Sequence, residues 1–372
     1  MRYFITTPKG LEAVLVEEGM RLGATPVRKA PGRVHFDADR NFLYLSNSFL
    51  RTANRVFIEL ISGHHEGLED IGSAAVSIDY TPYIGPGMSF AVRAERVGSH
   101  DFTSIDVGRV VGAAVIESLL ESKGFRPRVD LRSPDVEIYV YVIEDEFVIG
   151  VNTSGESLHK RRYRVISHPA ALKTTLAAAM YYLAGEPERL IDPMCGGGTI
   201  PAEAVQIGLG IPISRYRRGY MYRKFPLYSP DEEAGALSSY KPRKRYVVPW
   251  CTDISHKSVY IAIRNLLSAG IEQRVTLGIW DAEDPLLYEL SEADAVITNP
   301  PYGIRSHNPR KIPAFYRGFV RAARDGGIST IVCITPRVRD MIGAVRDSEG
   351  VVEGIIHVMH GGLRAGILKI RF

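Results

Sequence analysis

The chain has 372 residues, 45% hydrophobic and 24% charged, the balance of an ordinary globular protein of two or three domains; disordered, collagen-like and disulfide-dense classes are excluded. Its net charge of +4 is unevenly spread: residues 215–245 carry nine basic and three acidic side chains, which points to a polyanion partner, with a solvated loop as the plain alternative. Cys195, Cys251 and Cys333 are too few and too far apart for a disulfide framework or a zinc knuckle, so no metal is expected and a reducing cytoplasm fits.

The opening residues Met1–Pro8 lack the long apolar region of a signal peptide. Tyr3–Thr6 reads as a strand, Gly10–Leu22 as a helix, Val34–Phe36 as a strand, Arg40–Ser48 as a helix and Arg55–Ile61 as an alternating strand. This is a small β-α-β-type unit, compatible with a ferredoxin-like layout. A helix near Gly72–Ser77, a strand at Ser89–Glu95 and a helix over Ser104–Ser122 follow. The apolar side of that last helix is expected to hold Ile105, Val110, Val111, Ala114, Val115 and Leu119. Strands at Val136–Ile143 and Glu146–Asn152 close this part. Apolar stretches such as Val136–Ile143 and Ile328–Ile334 are far too short for a bilayer span, so no membrane is expected. The arginines here, ending in Arg161, Arg162 and Arg164, suit phosphate contacts, although a surface role is the commoner fate of any one of them.

Near residues 153–168 the composition changes, and strand and helix then alternate. Leu190-Ile191 leads into three glycines, Trp250–Thr252 into a helix over Lys257–Ala269, Val275–Ile279 into Trp280-Asp281, Ala293–Thr298 into Asn299, and Ile328–Ile334 into Thr335-Pro336. Such alternation predicts an α/β, doubly wound sheet with its ligands at the carboxyl ends of the strands.

The first strand end reads Asp192-Pro193-Met194-Cys195-Gly196-Gly197-Gly198-Thr199. Glycines allow close backbone approach to a ligand, be it a dinucleotide, a phosphate or an adenosyl group. The G-x-G-x-x-G and P-loop spacings are absent. Asp253, at the second strand end, is suited to ribose hydroxyls or to capping the next helix. Asp281, at the third, suits an adenine amino group or a turn. The fourth end is Asn299-Pro300-Pro301-Tyr302. Two prolines stiffen it, and the Asn299 and Pro300 oxygens are positioned to accept both protons of an exocyclic amine on a planar base stacked on Tyr302.

Together these motifs resemble the amino-group class of S-adenosylmethionine-dependent methyltransferases. The run Thr153–Arg164, followed by Pro169-Ala170-Ala171-Leu172-Lys173 and Leu176–Ala179, is similar to RNA guanine-N2-methyltransferases that carry a THUMP domain. Length and the terminal His360-Gly361-Gly362-Leu363 look most like the archaeal tRNA enzymes that act on guanine 6 of the acceptor stem. The resemblance implies a ferredoxin-like domain at 1–65, a THUMP RNA-binding domain at 66–160 and a Rossmann-fold class I methyltransferase domain at 161–372. It implies S-adenosylmethionine as cofactor and S-adenosylhomocysteine as product. Asp192, Pro193, Cys195, Gly196, Gly198 and Thr199 would cradle the methionine part. Asp253 and Ile254 would hold the ribose, Asp281 and Ala282 the adenine, and Leu172 would close over them. Asn299, Pro300 and Tyr302 would hold a flipped-out guanine, with Asn299 also facing the cofactor. Gly197 departs from the Ser or Thr usual in the family. Cys195 has no base beside it and reads as packing rather than a nucleophile. Arg161, Arg162, Arg164, Arg215, Arg217 and Arg218 are the expected RNA contacts, with Tyr216, Tyr220, Tyr222, Phe225, Tyr228 and Tyr240 interleaved in the basic segment. Core packing of those tyrosines is an equally ordinary outcome. The expected partner is tRNA, met by a monomer. A guanine-N2 enzyme for tRNA position 10 or large-subunit rRNA, an adenine-N6 methyltransferase, and a non-catalytic RNA-binding protein remain open alternatives.

Overall fold

A computed structural model describes residues 1–303 and 309–372. The first part runs β1 (Arg2–Thr6), α1 (Glu12–Arg21), β2 (Thr25–Ala30), β3 (Arg33–Asp37), α2 (Asn41–Phe49) and β4 (Arg55–His64). It continues α3 (Leu68–Val76), β5 (Ser89–Val97), α4 (Ser104–Lys123), β6 (Arg128–Val129), β7 (Val136–Ile143) and β8 (Glu146–Asn152). All eight strands form one sheet in the order β2-β3-β1-β4-β8-β7-β5-β6. The ten-residue β4 is the seam, pairing β1 on one side and β8 on the other. Residue 65 therefore lies between elements that share a sheet and a hydrophobic core.

Strand alternation divides the two faces. Tyr3 and Ile5 enter the core under the helices, while Phe4 faces the other way and stacks on Phe57 with ring centres 4.5 Å apart. Gly150 makes that possible: a β-carbon there would stand 2.4 Å from the Phe4 ring. Helix α4 starts on a Thr103–Asp106 capping box and stops at left-handed Gly124. Val111, Ala114, Val115 and Leu119 are buried as expected, but Ile105 is 81% exposed because it lies in the first turn, before the helix meets the sheet. Strand β2 escapes sequence detection because, as a sheet edge with exposed or half-exposed side chains and a proline, it has no alternating pattern to read.

The second part runs α5 (Thr174–Leu183), β9 (Arg189–Asp192), α6 (Thr199–Gly208), α7 (Pro230–Ser239), β10 (Val248–Asp253), α8 (His256–Ala269), β11 (Thr276–Ile279) and α9 (Pro285–Ser291). It ends β12 (Ala295–Thr298), α10 (Ile312–Asp325), β13 (Thr330–Thr335), α11 (Val338–Asp347), β14 (Val351–His360) and β15 (Leu363–Arg371). The seven strands are ordered β11-β10-β9-β12-β13-β15-β14. Strands β9 to β13 are parallel, and the β14–β15 hairpin adds on antiparallel to β13. The expected doubly wound sheet is thus present. Its strand order reverses between β9 and β12, the place where such sheets bind ligands. No helix among the described residues is long and apolar enough to cross a membrane.

Leu11 and Val14 share a core with Leu176 and Val358, and two further groups of contacts tie the halves together. Residues 209–247, between α6 and β10, lay Tyr220, Tyr222, Phe225 and Ala236 into the core of the first sheet. The Tyr220 hydroxyl donates to the Asn47 carbonyl at 2.9 Å and that of Tyr222 to Glu233 at 2.7 Å. Beside this, Glu203 of α6 is fully buried and takes hydrogen bonds from Arg51, which follows α2, and from Arg161 and Tyr163. Burial pushes the Glu203 carboxyl up, but the Arg161 and Arg51 guanidiniums outweigh it and hold it below the ordinary range.

Candidate active site

A cleft of about 770 Å³ opens at the carboxyl ends of β9, β10, β11 and β12. The four strand ends singled out in the sequence converge on it. Asp192 lies at its floor, where its Oδ1 accepts the Thr298 hydroxyl at 2.7 Å and the Met194 N–H at 3.3 Å. Burial pushes its pKa up to about 7 against the pull of those hydrogen bonds. The glycine turn follows: the Gly196 N–H donates to Asp253 Oδ2 at 3.0 Å, so the second strand end pins the first. Asp253 Oδ1 accepts the Ser255 N–H at 2.9 Å. Capping of α8 falls to Ser255, which frees Asp253 from that alternative. Asp281 accepts the Glu283 N–H at 2.9 Å through Oδ1, a turn role, and its other oxygen makes no hydrogen bond among the described residues. Pro193, Cys195, Thr199, Ile254, Ala282 and Leu172 also face the cleft. Burial raises the Cys195 thiol well above its ordinary pKa, with Cys251 beside it, which makes it a poor nucleophile.

The Asn299 side chain has one end tethered and one end free. Its Nδ2 donates to the Ala170 carbonyl at 3.3 Å, while its buried Oδ1 has no hydrogen-bond partner among the described residues. An unpaired buried acceptor is costly unless something supplies a donor. Pro300, Pro301 and Tyr302 continue the cleft wall. The Tyr316 hydroxyl donates to the Pro301 carbonyl at 3.0 Å and fixes the loop from behind.

Three expectations need correction. Gly198 does not face the cleft; it caps α6 at φ +72° and packs under α8, where a β-carbon would meet Ala262 at 3.2 Å. Gly197 faces the cleft instead. Arg161 is not an RNA contact, since its side chain is wholly buried on Glu203. Arg217 is spent internally: its guanidinium lies over the Tyr220 ring and donates to the carbonyls of Ser154, Glu156 and Ser157. Arg164 is partly engaged, donating to the Leu172 carbonyl at 2.9 Å. Arg162, Arg215 and Arg218 are exposed. Of the interleaved aromatics, Tyr216, Tyr220, Tyr222 and Phe225 are core residues, which is the packing alternative.

Sequence reasoning missed His168, Phe315 and Lys311, which also face the cleft. His168 lies 3.3 Å from where a Gly196 β-carbon would stand, with its Nε2 within 3.3 Å of the Ser258 hydroxyl. Burial lowers its pKa despite Asp253 nearby. The His168-Pro169 pair was legible as a turn, but nothing local pointed it at the glycines. Phe315 and Lys311 follow the Asn-Pro-Pro-Tyr loop at a distance no motif fixes.

An open glycine turn, two carboxylates at neighbouring strand ends and a free amide oxygen fit the nucleoside cofactor and planar amine that the sequence resemblance implies. Residues 161–365 match the "RMKL-like, methyltransferase domain" family, 66–152 the THUMP domain and 2–57 the RlmL ferredoxin-like domain. The chain is 35% identical to the tRNA (guanine(6)-N2)-methyltransferase of Archaeoglobus fulgidus, over 99% of this chain and 91% of that one. It is 34% identical to the enzyme of the same name from Methanocaldococcus jannaschii over the full length of both. Its fold matches that of "SMU.472, a putative methyltransferase complexed with SAH", with a TM-score of 0.82 over 99% of this chain and 97% of that one at 21% identity.

Proposed function

The chain belongs to the RMKL-like methyltransferases that carry a THUMP domain, and from that premise we propose that it methylates the N2 amine of a guanine in tRNA, guanine 6 of the acceptor stem, using S-adenosylmethionine. The observation that carries the site assignment is Asn299 Oδ1, buried and without a hydrogen-bond partner among the described residues, in the stiff loop after β12. S-adenosylmethionine supplies an electrophilic methyl group when bound. The Gly196–Gly197 turn and Asp192 would hold its amino-acid part, Asp253 its ribose and Asp281 its adenine. Asn299 Oδ1 and the Pro300 carbonyl would accept the two amine protons, turn the nitrogen lone pair to the methyl in line, and stabilise positive charge as it develops there. Tyr302 would stack on the base.

A paired guanine cannot reach this loop, so the base must leave the stem, at a cost of about a few kcal/mol. Phosphate contacts from exposed Arg162, Arg215 and Arg218, and from the THUMP-bearing half, would offset it. Position 6 is favoured over position 10 or rRNA because both named relatives align along nearly the whole chain. The test is incubation of unmodified tRNA with labelled S-adenosylmethionine, followed by nucleoside digestion and position mapping. N2-methylguanosine at position 6 is expected. N6-methyladenosine without N2-methylguanosine would overturn the assignment.

A further inference from the structure

Behind the glycine turn lies a second cavity, of about 210 Å³. It adjoins the cleft, since Ala171, Leu172, Gly197 and Thr199 face both. Its other wall carries His159, Arg164 and Lys173, and no Asp or Glu lines it. Burial first, then Lys173 and Arg164, push the His159 imidazole down to about 4, so it is neutral near pH 7.

The walls are fixed. Asn265 Nδ2 donates to the carbonyls of Ile166 and Gly197 at 3.2 and 3.0 Å, which fastens the 166–172 strap to the glycine turn. The Thr174 hydroxyl donates to the His159 carbonyl at 2.8 Å. One Arg164 nitrogen is held by the Leu172 carbonyl, leaving the rest of the guanidinium fork to the cavity. Cations elsewhere near the strap have acidic neighbours: Arg51 and Arg161 lie on Glu203, and Lys160 and Arg162 lie beside Glu156. Arg164 and Lys173 have no ion pair among the described residues. An acid-free chamber lined by cations and open to a ligand cleft fits an anionic part of that ligand.

We propose that this chamber is the anion subsite of the cleft, in which Arg164 and Lys173 hold the carboxylate at the amino-acid end of S-adenosylmethionine. The proposal rests on the function given above. It is favoured over an RNA phosphate because the chamber reaches Gly197 and Thr199, where the amino-acid end would lie.

The test is calorimetry on the full chain with S-adenosylhomocysteine and with 5′-methylthioadenosine, which keeps the nucleoside and sulfur but has no amino-acid part. Lys173→Gln and Arg164→Gln should each weaken S-adenosylhomocysteine about ten-fold or more, as expected for a charge-assisted hydrogen bond, and leave 5′-methylthioadenosine within about two-fold. Lys173→Arg should retain most of the affinity. Lys173 is exposed, so its substitution leaves the fold intact. Equal losses for both ligands would make the strap mere scaffolding and overturn the proposal. So would unchanged S-adenosylhomocysteine affinity with a raised KM for tRNA, which would make the chamber a phosphate site. A wild-type chain that binds neither nucleoside contradicts the proposed function itself. One that binds both with equal affinity contradicts only the subsite.

Discussion

The strand ends around the cleft and the 209–247 insertion both carry functional-looking side chains, yet they differ in what holds those side chains. Asp192, Asp253, Asp281 and Asn299 stand at the carboxyl ends of parallel strands, and the sheet brings them to one cavity whatever their neighbours do. Tyr220, Tyr222 and Phe225 sit in a long connection with no such frame, and they are drawn into the nearest apolar core. A polar group placed by topology keeps its chemistry available; an aromatic group in an unframed segment goes where it buries most surface. Arginine follows the same division: Arg217 is consumed in stitching the insertion down, whereas Arg215 and Arg218 project outward.

Substitutions on both sides sharpen this contrast. The largest effect is expected at the joint between the regions. Glu203→Ala leaves Arg51 and Arg161 buried without a counter-charge, and should cost about 3–5 kcal/mol of stability in urea unfolding. A loss below about 1 kcal/mol would mean that the cluster is hydrated and does not lock the halves. Next is the cleft: Asn299→Ala should lower kcat by about 10²–10³-fold, as for removal of a transition-state hydrogen-bond partner, with S-adenosylhomocysteine affinity unchanged. Parallel loss of cofactor affinity would contradict its assignment to the amine.

Within the insertion, Tyr222→Phe should cost about 1 kcal/mol of stability through the lost Glu233 hydrogen bond, while the affinity for tRNA stays unchanged. A specific loss of RNA binding would restore this tyrosine to the interface. Reversing Arg215 and Arg218 together to Glu should leave the melting temperature in place, weaken tRNA binding and flatten its salt dependence. The smallest effect concerns pH. Asp192 is held protonated to about pH 7 in the fold, so the folded chain binds the extra proton between its unfolded pKa and that value. Its contribution to stability is therefore full below the unfolded pKa and is lost as pH rises towards 7. Asp192→Asn should remove this part of the decline when unfolding is measured across pH 4–8.

Much of the fold was legible because periodicity and turn residues are local properties. Strands β1, β4, β7 and β8 and helices α4 and α8 follow apolar patterns that any packing partner would use. The edge strand β2 and the short helix α7 have little buried surface and so left no pattern.

The chemistry of the strand ends was readable in the chain alone: a glycine turn, two acids and a stiff amide loop follow one another at the ends of successive predicted strands. The covalent order of these motifs and the rigidity of proline and glycine are written in the chain. The tertiary structure decided which of the remaining polar groups are free. It spent Arg161 on Glu203, turned Gly198 from the cleft to a helix contact, brought His168 over the glycines, and left Asn299 Oδ1 without a partner among the described residues. The physical reason is that burial and hydrogen-bond satisfaction depend on segments distant in sequence, and no local pattern records which of them will meet.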